Sequence, residues 1–308
     1  MINVEKLTKK YGELTAVNDL SFRVEKGKIW GLLGPNAAGK TTTMRILTGY
    51  LPATDGKVSI AGFDVFSKPD EVKKILGYLP ENVPLYPEMT VSDYLSFVAE
   101  IKQLPKSKIR EAIDKSLRTS GLEKVKGRLI KNISRGYKQR VGIAQALIHD
   151  PQILILDEPT TGLDPAQIIE IRELIKSLSG ERTIILSTHI LAEVTQNCDG
   201  AVIINEGRLM ANGSLEELSK SVSQQEGVFI RLKNAGKEAA SLFLGLDGVD
   251  KSTWKDGGFR LEWCPGKELE DQVVSLTLDK NLGLMEMRPL AMNIEDLYLK
   301  IISGDIKQ

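Results

Sequence analysis

Gly34-Pro35-Asn36-Ala37-Ala38-Gly39-Lys40-Thr41-Thr42 is preceded by the apolar run Ile29-Trp30-Gly31-Leu32-Leu33 and followed by Thr43-Met44-Arg45-Ile46-Leu47. The first flank reads as a short buried strand and the second as the start of a helix. The spacing from Gly34 through Gly39 and Lys40 to Thr41 fits a phosphate-binding loop. Gly34 and Gly39 let the backbone curl so that successive N–H groups point inward as an anion nest. A helix opening at Lys40 adds unpaired N–H groups and its positive dipole end. Lys40 reaches the β- and γ-phosphates as a point charge, and the Thr41 hydroxyl suits Mg²⁺. A Gly-rich turn before an ordinary helix is the plainer reading of the same letters.

The composition narrows the field. The chain has 308 residues, enough for one large domain and a smaller one. Lys+Arg and Asp+Glu both number 41, so the formal charge is zero. Broad attraction to nucleic acid or anionic lipid is not expected at that balance. Apolar runs such as Ile153–Leu156 and Ile184–Leu186 are far too short to span a bilayer. The N-terminal Met1-Ile2-Asn3-Val4-Glu5-Lys6 lacks the apolar stretch of a signal peptide. Cys198 and Cys264 are isolated and read as buried or inert thiols, and two histidines are too few for a histidine metal cage.

Two further strand ends carry polar groups. Ile153-Leu154-Ile155-Leu156 reads as a buried strand with Asp157-Glu158 at its exit, where ligands of parallel α/β sheets bind. Adjacent carboxylates at a core edge are costly without a partner, and phosphate-bound Mg²⁺ is such a partner for the first. The second is able to take a proton from water. Thr183-Ile184-Ile185-Leu186-Ser187 is another buried strand with His189 just beyond it. That histidine is either a phosphate contact or a capped structural residue. Glu81, after the strand Leu76–Leu79 and inside a loop stiffened by Pro80, Pro84 and Pro87, is a site residue or a solvated loop charge. Tyr11, in the turn Lys9–Gly12, is placed to stack on a base or simply to pack.

The remaining pattern is ordinary. Residues 1–33 read as three strands, and Lys57–Ile60 as another. Helices are expected over Pro69–Ile75 with Ser67 as cap, from Thr90 with Asp93, from Ser107, after Ser134 and from Asp164-Pro165. Ala201–Asn205 and Arg208–Ala211 form a hairpin, and Ser214-Leu215-Glu216-Glu217 starts a short helix. Ser219–Gly227 reads as a polar linker. Beyond it the order is strand (228–232), helix (238–244), two strands (251–254, 259–263), helix (268–277), strand (284–287) and helix (294–302), which suggests a small ferredoxin-like unit.

Taken together, these motifs resemble those of ATP-binding cassette (ABC) transporter ATP-binding subunits over about residues 1–220. Gly34, Pro35, Asn36, Ala37, Ala38, Gly39, Lys40, Thr41 and Thr42 resemble the Walker A loop, and Ile133–Tyr137 the signature motif. Asp157 and Glu158 resemble Walker B and the catalytic glutamate, Thr161–Asp164 the D-loop, and His189 the switch histidine; Tyr11 falls at the adenine-stacking aromatic. The resemblance implies an α/β P-loop NTPase cassette over 1–220, with a mixed β core and a helical subdomain near 90–149. A small α+β domain, regulatory or for dimer contact, follows over 221–308. It also implies an ATPase in which Lys40 holds phosphate, Thr41, Glu81 and Asp157 surround Mg²⁺, Glu158 activates water and His189 contacts the γ-phosphate. ATP would lie between this Walker A loop and Ser134, Gly136 and Asp164 of a second copy or a paralogous cassette. The implied partner is a separate integral-membrane permease, with the chain at the cytoplasmic face of the membrane and export as the direction. A non-transport ATPase acting on ribosome or DNA is the other class within the family. Four positions depart from the pattern: Ala37 for the usual Gly, tolerable if φ stays negative, Glu81 for the usual Gln, and Arg135 and Tyr137 for a Gly and a Gln.

Overall fold

The computed structural model describes residues 1–222, 226–264, 267, 269–290, 298 and 301. The chain divides into two compact units, Met1–Leu215 and Glu216–Gln308.

The first unit opens with β1 (Ile2–Tyr11), β2 (Leu14–Val24) and β3 (Ile29–Leu33). After α1 (Lys40–Leu47) come β4 (Asp55–Ile60), β5 (Phe63–Asp64), α2 (Pro69–Ile75) and β6 (Leu76–Leu79). β1, β2, β4 and β5 make an antiparallel sheet in the order β2-β1-β4-β5. Its alternating side chains bury Ile2, Val4, Leu7, Leu20, Phe22, Val58 and Ile60 on one face. β1 runs further than the sequence suggests. Tyr11 pairs with Leu14 as its last residue, so the turn is Gly12-Glu13 rather than Lys9–Gly12. Ser67 does not cap α2: its N–H, with that of Phe66, is held by Asp64, and Lys68 occupies the cap position.

The helical layer comprises α3 (Val91–Ile101), α4 (Lys106–Thr119) and α5 (Arg135–Leu147). It has its own core, in which Tyr94, Leu95, Leu117, Ile130, Val141 and Ile148 meet. Thr90 caps α3 by accepting from the Asp93 N–H. Ser107 lies inside α4, because the chain turns helical directly after Pro105, whose ring presets φ.

The second sheet adds β7 (Ile153–Asp157), then, after α6 (Pro165–Ser177), β8 (Thr183–Thr188), and after α7 (Leu191–Asn197), β9 (Gly200–Asn205) and β10 (Arg208–Ser214). The order is β10-β9-β3-β8-β7-β6, parallel throughout except for the β9–β10 hairpin. β3 and β7 are buried at every position, which is why they read as unbroken apolar runs. Register then does the positioning. Leu33 pairs with Thr188, Asp157 with Ser187 and Leu79 with Leu156. Four exits therefore open on one edge, carrying the Gly34 loop, Glu81, Asp157-Glu158 and His189.

α8 (Leu215–Val222) spans the division between the units. Ser219–Val222 are helical, and β11 (Glu226–Leu232) starts inside the expected linker. The second unit continues with a 3-10 turn at Lys237–Ala239, α9 (Ala240–Leu244), β12 (Val249–Lys255), β13 (Gly258–Trp263), α10 (Glu270–Asp279) and β14 (Leu284–Pro289). Its strands pair antiparallel in the order β12-β13-β11-β14, a split βαβ arrangement. Ile230, Phe243, Phe259, Leu261 and Trp263 form its core. The helix expected at 294–302 falls outside the described residues except Tyr298 and Ile301, both helical and buried. Cys198 is buried and Cys264 exposed, its thiol donating to Asp250.

Candidate functional site

The cleft at the shared edge measures about 410 Å³ and is lined by Ala16, Asn36, Ala37, Gly39, Lys40, Thr41, Thr42, Glu81, Glu158, Thr161 and His189. Gly39 occupies the cap position of α1 in a left-handed conformation, with no side chain capping the helix. A Cβ at Gly39 would stand 2.5 Å from the Ala16 carbonyl, so only glycine fits. The first-turn N–H groups of α1 face the cleft without a side-chain competitor, a ready anion site. Ala37 has φ 64°, so the condition for a mild replacement of glycine is not met. The position is strained by about 1 kcal/mol.

Lys40 is 6 % exposed. Its ammonium donates to the carbonyls of Gly34 at 2.9 Å and Pro35 at 3.1 Å and stands 3.4 Å from Glu158 Oε1. All three partners are acceptors, which phosphate oxygens of a ligand would replace. Gly34, Pro35 and the buried Ala38 shape the loop from behind rather than line the cleft.

Asp157 is fully buried. Its Oδ1 accepts from Ser187 Oγ at 2.6 Å and Thr41 Oγ1 at 3.4 Å. Its Oδ2 has no partner. Burial pushes its carboxyl above the usual range; the Ser187 and Thr41 hydrogen bonds oppose this, and the Glu81 and Glu158 charges add to it. A buried carboxylate oxygen left bare costs about 1–3 kcal/mol, and a divalent cation beside the Thr41 hydroxyl would satisfy it. Among the described residues no group of three or more His, Cys, Asp or Glu is placed to hold a metal. The donor set therefore fits a cation that arrives with oxygens of its own, as Mg²⁺ on a polyphosphate does.

Glu158 sits at φ 49°, a turn that swings its carboxylate off the strand line and into the cleft. Its N–H donates to Ser187 Oγ at 2.8 Å. Its Oε2 accepts from Thr161 Oγ1 and from His189 Nδ1, each at 3.0 Å. Oε1 faces Lys40. Glu158 and His189, thirty-one residues apart, are thus one hydrogen-bonded pair.

Four expected site residues lie elsewhere. Ser134 caps α5 by accepting from the Tyr137 N–H at 3.3 Å, and Gly136 is packed so close to Gln167 that a Cβ would clash with it. Asp164 caps α6 through the Gln167 N–H at 2.9 Å. Tyr11 is 47 % exposed with the Lys9 ammonium 5.2 Å from its ring centroid. None of the four lines the cleft of its own chain. Ser187 and Glu193 are functional neighbours that sequence reasoning missed, and Thr161, read only as the start of the D-loop, lines the cleft and bonds Glu158. Of the two missed, only Ser187 left a signal: it follows an apolar run at the position that register sets beside Asp157.

The family model described as ABC transporter matches residues 17–161. The bacitracin transport ATP-binding protein of Bacillus licheniformis is 35% identical over 306 residues, 99% of this chain and 98% of that protein. The Nod factor export ATP-binding protein I of Ralstonia nicotianae is 38% identical over 219 residues, 71% of this chain and 68% of that protein. An ATP-binding subunit of an ABC transporter superposes with TM-score 0.66 at 31% identity, over 72% of this chain and 93% of its own. A dimeric ATP-binding cassette in a post-hydrolysis state with ADP and Pi gives TM-score 0.63 at 25% identity, over 70% of this chain and 99% of its own.

Proposed function

The chain belongs to the ATP-binding subunits of ABC transporters, and from that premise we propose how its residues bind ATP, hydrolyse it and drive export. It is an ATPase that powers transport through a separate membrane permease. No described helix is long and apolar enough to cross a membrane, in keeping with a subunit that docks at the membrane through that permease. The alternative class, acting on ribosome or DNA, is not favoured.

The observation that carries the mechanism is the meeting of Lys40 and Glu158 in one cleft, with the half-satisfied Asp157 carboxylate buried behind Thr41 and every present partner of the Lys40 ammonium an acceptor. The β- and γ-phosphates take the place of the Gly34 and Pro35 carbonyls and draw Lys40 away from Glu158. Oε1 of Glu158 is then free to accept a proton from the attacking water, while Thr161 and His189 hold Oε2 and aim the carboxylate. Thr41 and Asp157, with Glu81 on the same wall, hold Mg²⁺, which when bound neutralises charge on the phosphate oxygens. His189 contacts the γ-phosphate, and Tyr11 stacks on the base. Positioning and charge stabilisation account for most of the rate.

Ser134, Gly136 and Asp164 stand apart from their own chain's cleft, so they serve the cleft of a second chain in a head-to-tail pair closed by ATP. The dimeric cassette among the similar structures supports this reading. The bacitracin and Nod factor relatives support export as the direction. Glu158→Gln tests both halves. Hydrolysis is expected to fall about 10²-fold or more, the scale for losing a general base, with ATP binding kept. Size exclusion should show a dimer with Mg-ATP and a monomer without. Wild-type turnover in this variant removes Glu158 from catalysis; lost turnover without a dimer, even with the permease present, removes the head-to-tail pair.

A further inference from the structure

Arg135 is the first residue of α5, directly after the cap Ser134. A cation in the first turn opposes the helix dipole, so its charge does nothing for helix stability there. Its guanidinium instead reaches across to another loop. Nη2 donates to the Thr161 carbonyl at 3.1 Å, and the group lies where any side chain at Gly162 would have to be. Thr161 in turn donates through Oγ1 to Glu158 Oε2.

We infer that Arg135 is a positioning residue for Glu158, acting through Thr161. The reading rests on Glu158 being the base proposed above. The loop between them is anchored on its other side by a different device. Thr160 Oγ1 donates at 2.6 Å to Glu193, a carboxylate 3 % exposed that also accepts from Thr188, the neighbour of His189, at 2.7 Å. Thr160 is thereby fixed from the buried side, whereas Thr161 is exposed and its carbonyl is held by Arg135. Released from Arg135, Thr161 is free to rotate its hydroxyl away from Oε2. Glu158 then keeps only the His189 donor on that oxygen, and the other oxygen is no longer held toward the cleft. Thr161 and Glu81 also wall a second cleft, of about 500 Å³, that contains Arg135, Lys138 and Gln139. The α5 end that bears Ser134 and Gly136 is therefore tied to the same chain's own catalytic carboxylate.

The test is steady-state Mg-ATP hydrolysis and nucleotide titration on the full chain, comparing Arg135→Ala, Thr161→Val, the double variant and Glu158→Gln. Arg135 and Thr161 are both exposed, so neither change should disturb folding. Losing one such hydrogen bond is expected to lower kcat about 3- to 10-fold in Arg135→Ala, with KM and nucleotide affinity unchanged. Arg135→Ala should add nothing once Thr161 is valine. Multiplying effects in the double variant, a raised KM at unchanged kcat, or no effect at all would each overturn the inference while an inactive Glu158→Gln leaves the proposed mechanism in place. Wild-type hydrolysis by Glu158→Gln would overturn both.

Discussion

In the six-stranded sheet β3, β6, β7, β8 and β9 run the same way and only the edge strand β10 returns; in the sheet of β11 to β14 every neighbour runs the opposite way. Both bury an apolar face, so burial does not distinguish them. Direction does. Parallel strands deliver their C-terminal ends to one edge, where the Gly34 loop, Glu81, Glu158 and His189 line one cleft. Antiparallel strands send alternate ends to opposite edges, and the polar residues of the second sheet settle into neighbouring-strand pairs such as Arg231 with Glu286 at 3.3 Å. A parallel sheet gathers polar ends into a site, and an antiparallel one disperses them.

The comparison is open to breakage at both sheets. The largest effect belongs to the second. Trp263 is fully buried in its core, and Trp263→Ala should lower the stability of that unit by about 3–5 kcal/mol. ATP affinity, measured by titration at a temperature where the first unit stays folded, should not change; a parallel loss would show that the site draws on the second sheet. Lys40→Ala reverses the pattern. Removing its charge-assisted bonds to phosphate should weaken Mg-ATP binding by about 2–3 kcal/mol, with a smaller loss of thermal stability in the absence of nucleotide, since Glu158 loses its cation but keeps its Thr161 and His189 bonds.

A smaller effect lies behind β6. Burial holds the His149 imidazole down at about pKa 4, with the Lys102 charge adding to this, while its ring nitrogen meets the Leu76 carbonyl at 3.0 Å. A carbonyl only accepts, so Nε2 carries the proton of a neutral ring. The unfolded chain takes up a proton near pH 6.5, and the native chain only near pH 4. This contribution is therefore complete above pH 6.5, shrinks as pH falls, and is gone below pH 4. It should reach about 2 kcal/mol, less than the full linkage value because the ring is partly exposed. Denaturant melts from pH 7 to 4 should show a shallower decline for His149→Gln. The smallest change is at the phosphate loop. Ala37→Gly relieves a positive φ but frees the unfolded chain, for a net gain of about 0.5 kcal/mol in chemical melts. A loss would mean that the alanine methyl packs usefully in the loop.

Much of the molecule follows from the letters alone. Gly34 to Thr42 between an apolar run and a helix, Asp157-Glu158 at the end of Ile153–Leu156, and His189 after Ser187 each encode a strand end with a polar group. Local chemistry dictates such patterns, because the middles of buried parallel strands are apolar and their polar residues gather at the ends. Asp164 and Ser134 are read as caps for the same local reason. What tertiary structure alone decided is which of these ends meet. The pairing of His189 with Glu158, the Ser187 bond to Asp157, the bare Asp157 oxygen and the hold of Arg135 on Thr161 all depend on register between strands or on loops tens of residues apart. The left-handed turn at Ala37 belongs with them, since a loop that must present its N–H groups to a phosphate overrides the preference of the residue placed there. A sequence states which groups sit at the edge of the core; only the packed sheet fixes their distances, and the chemistry runs on those distances.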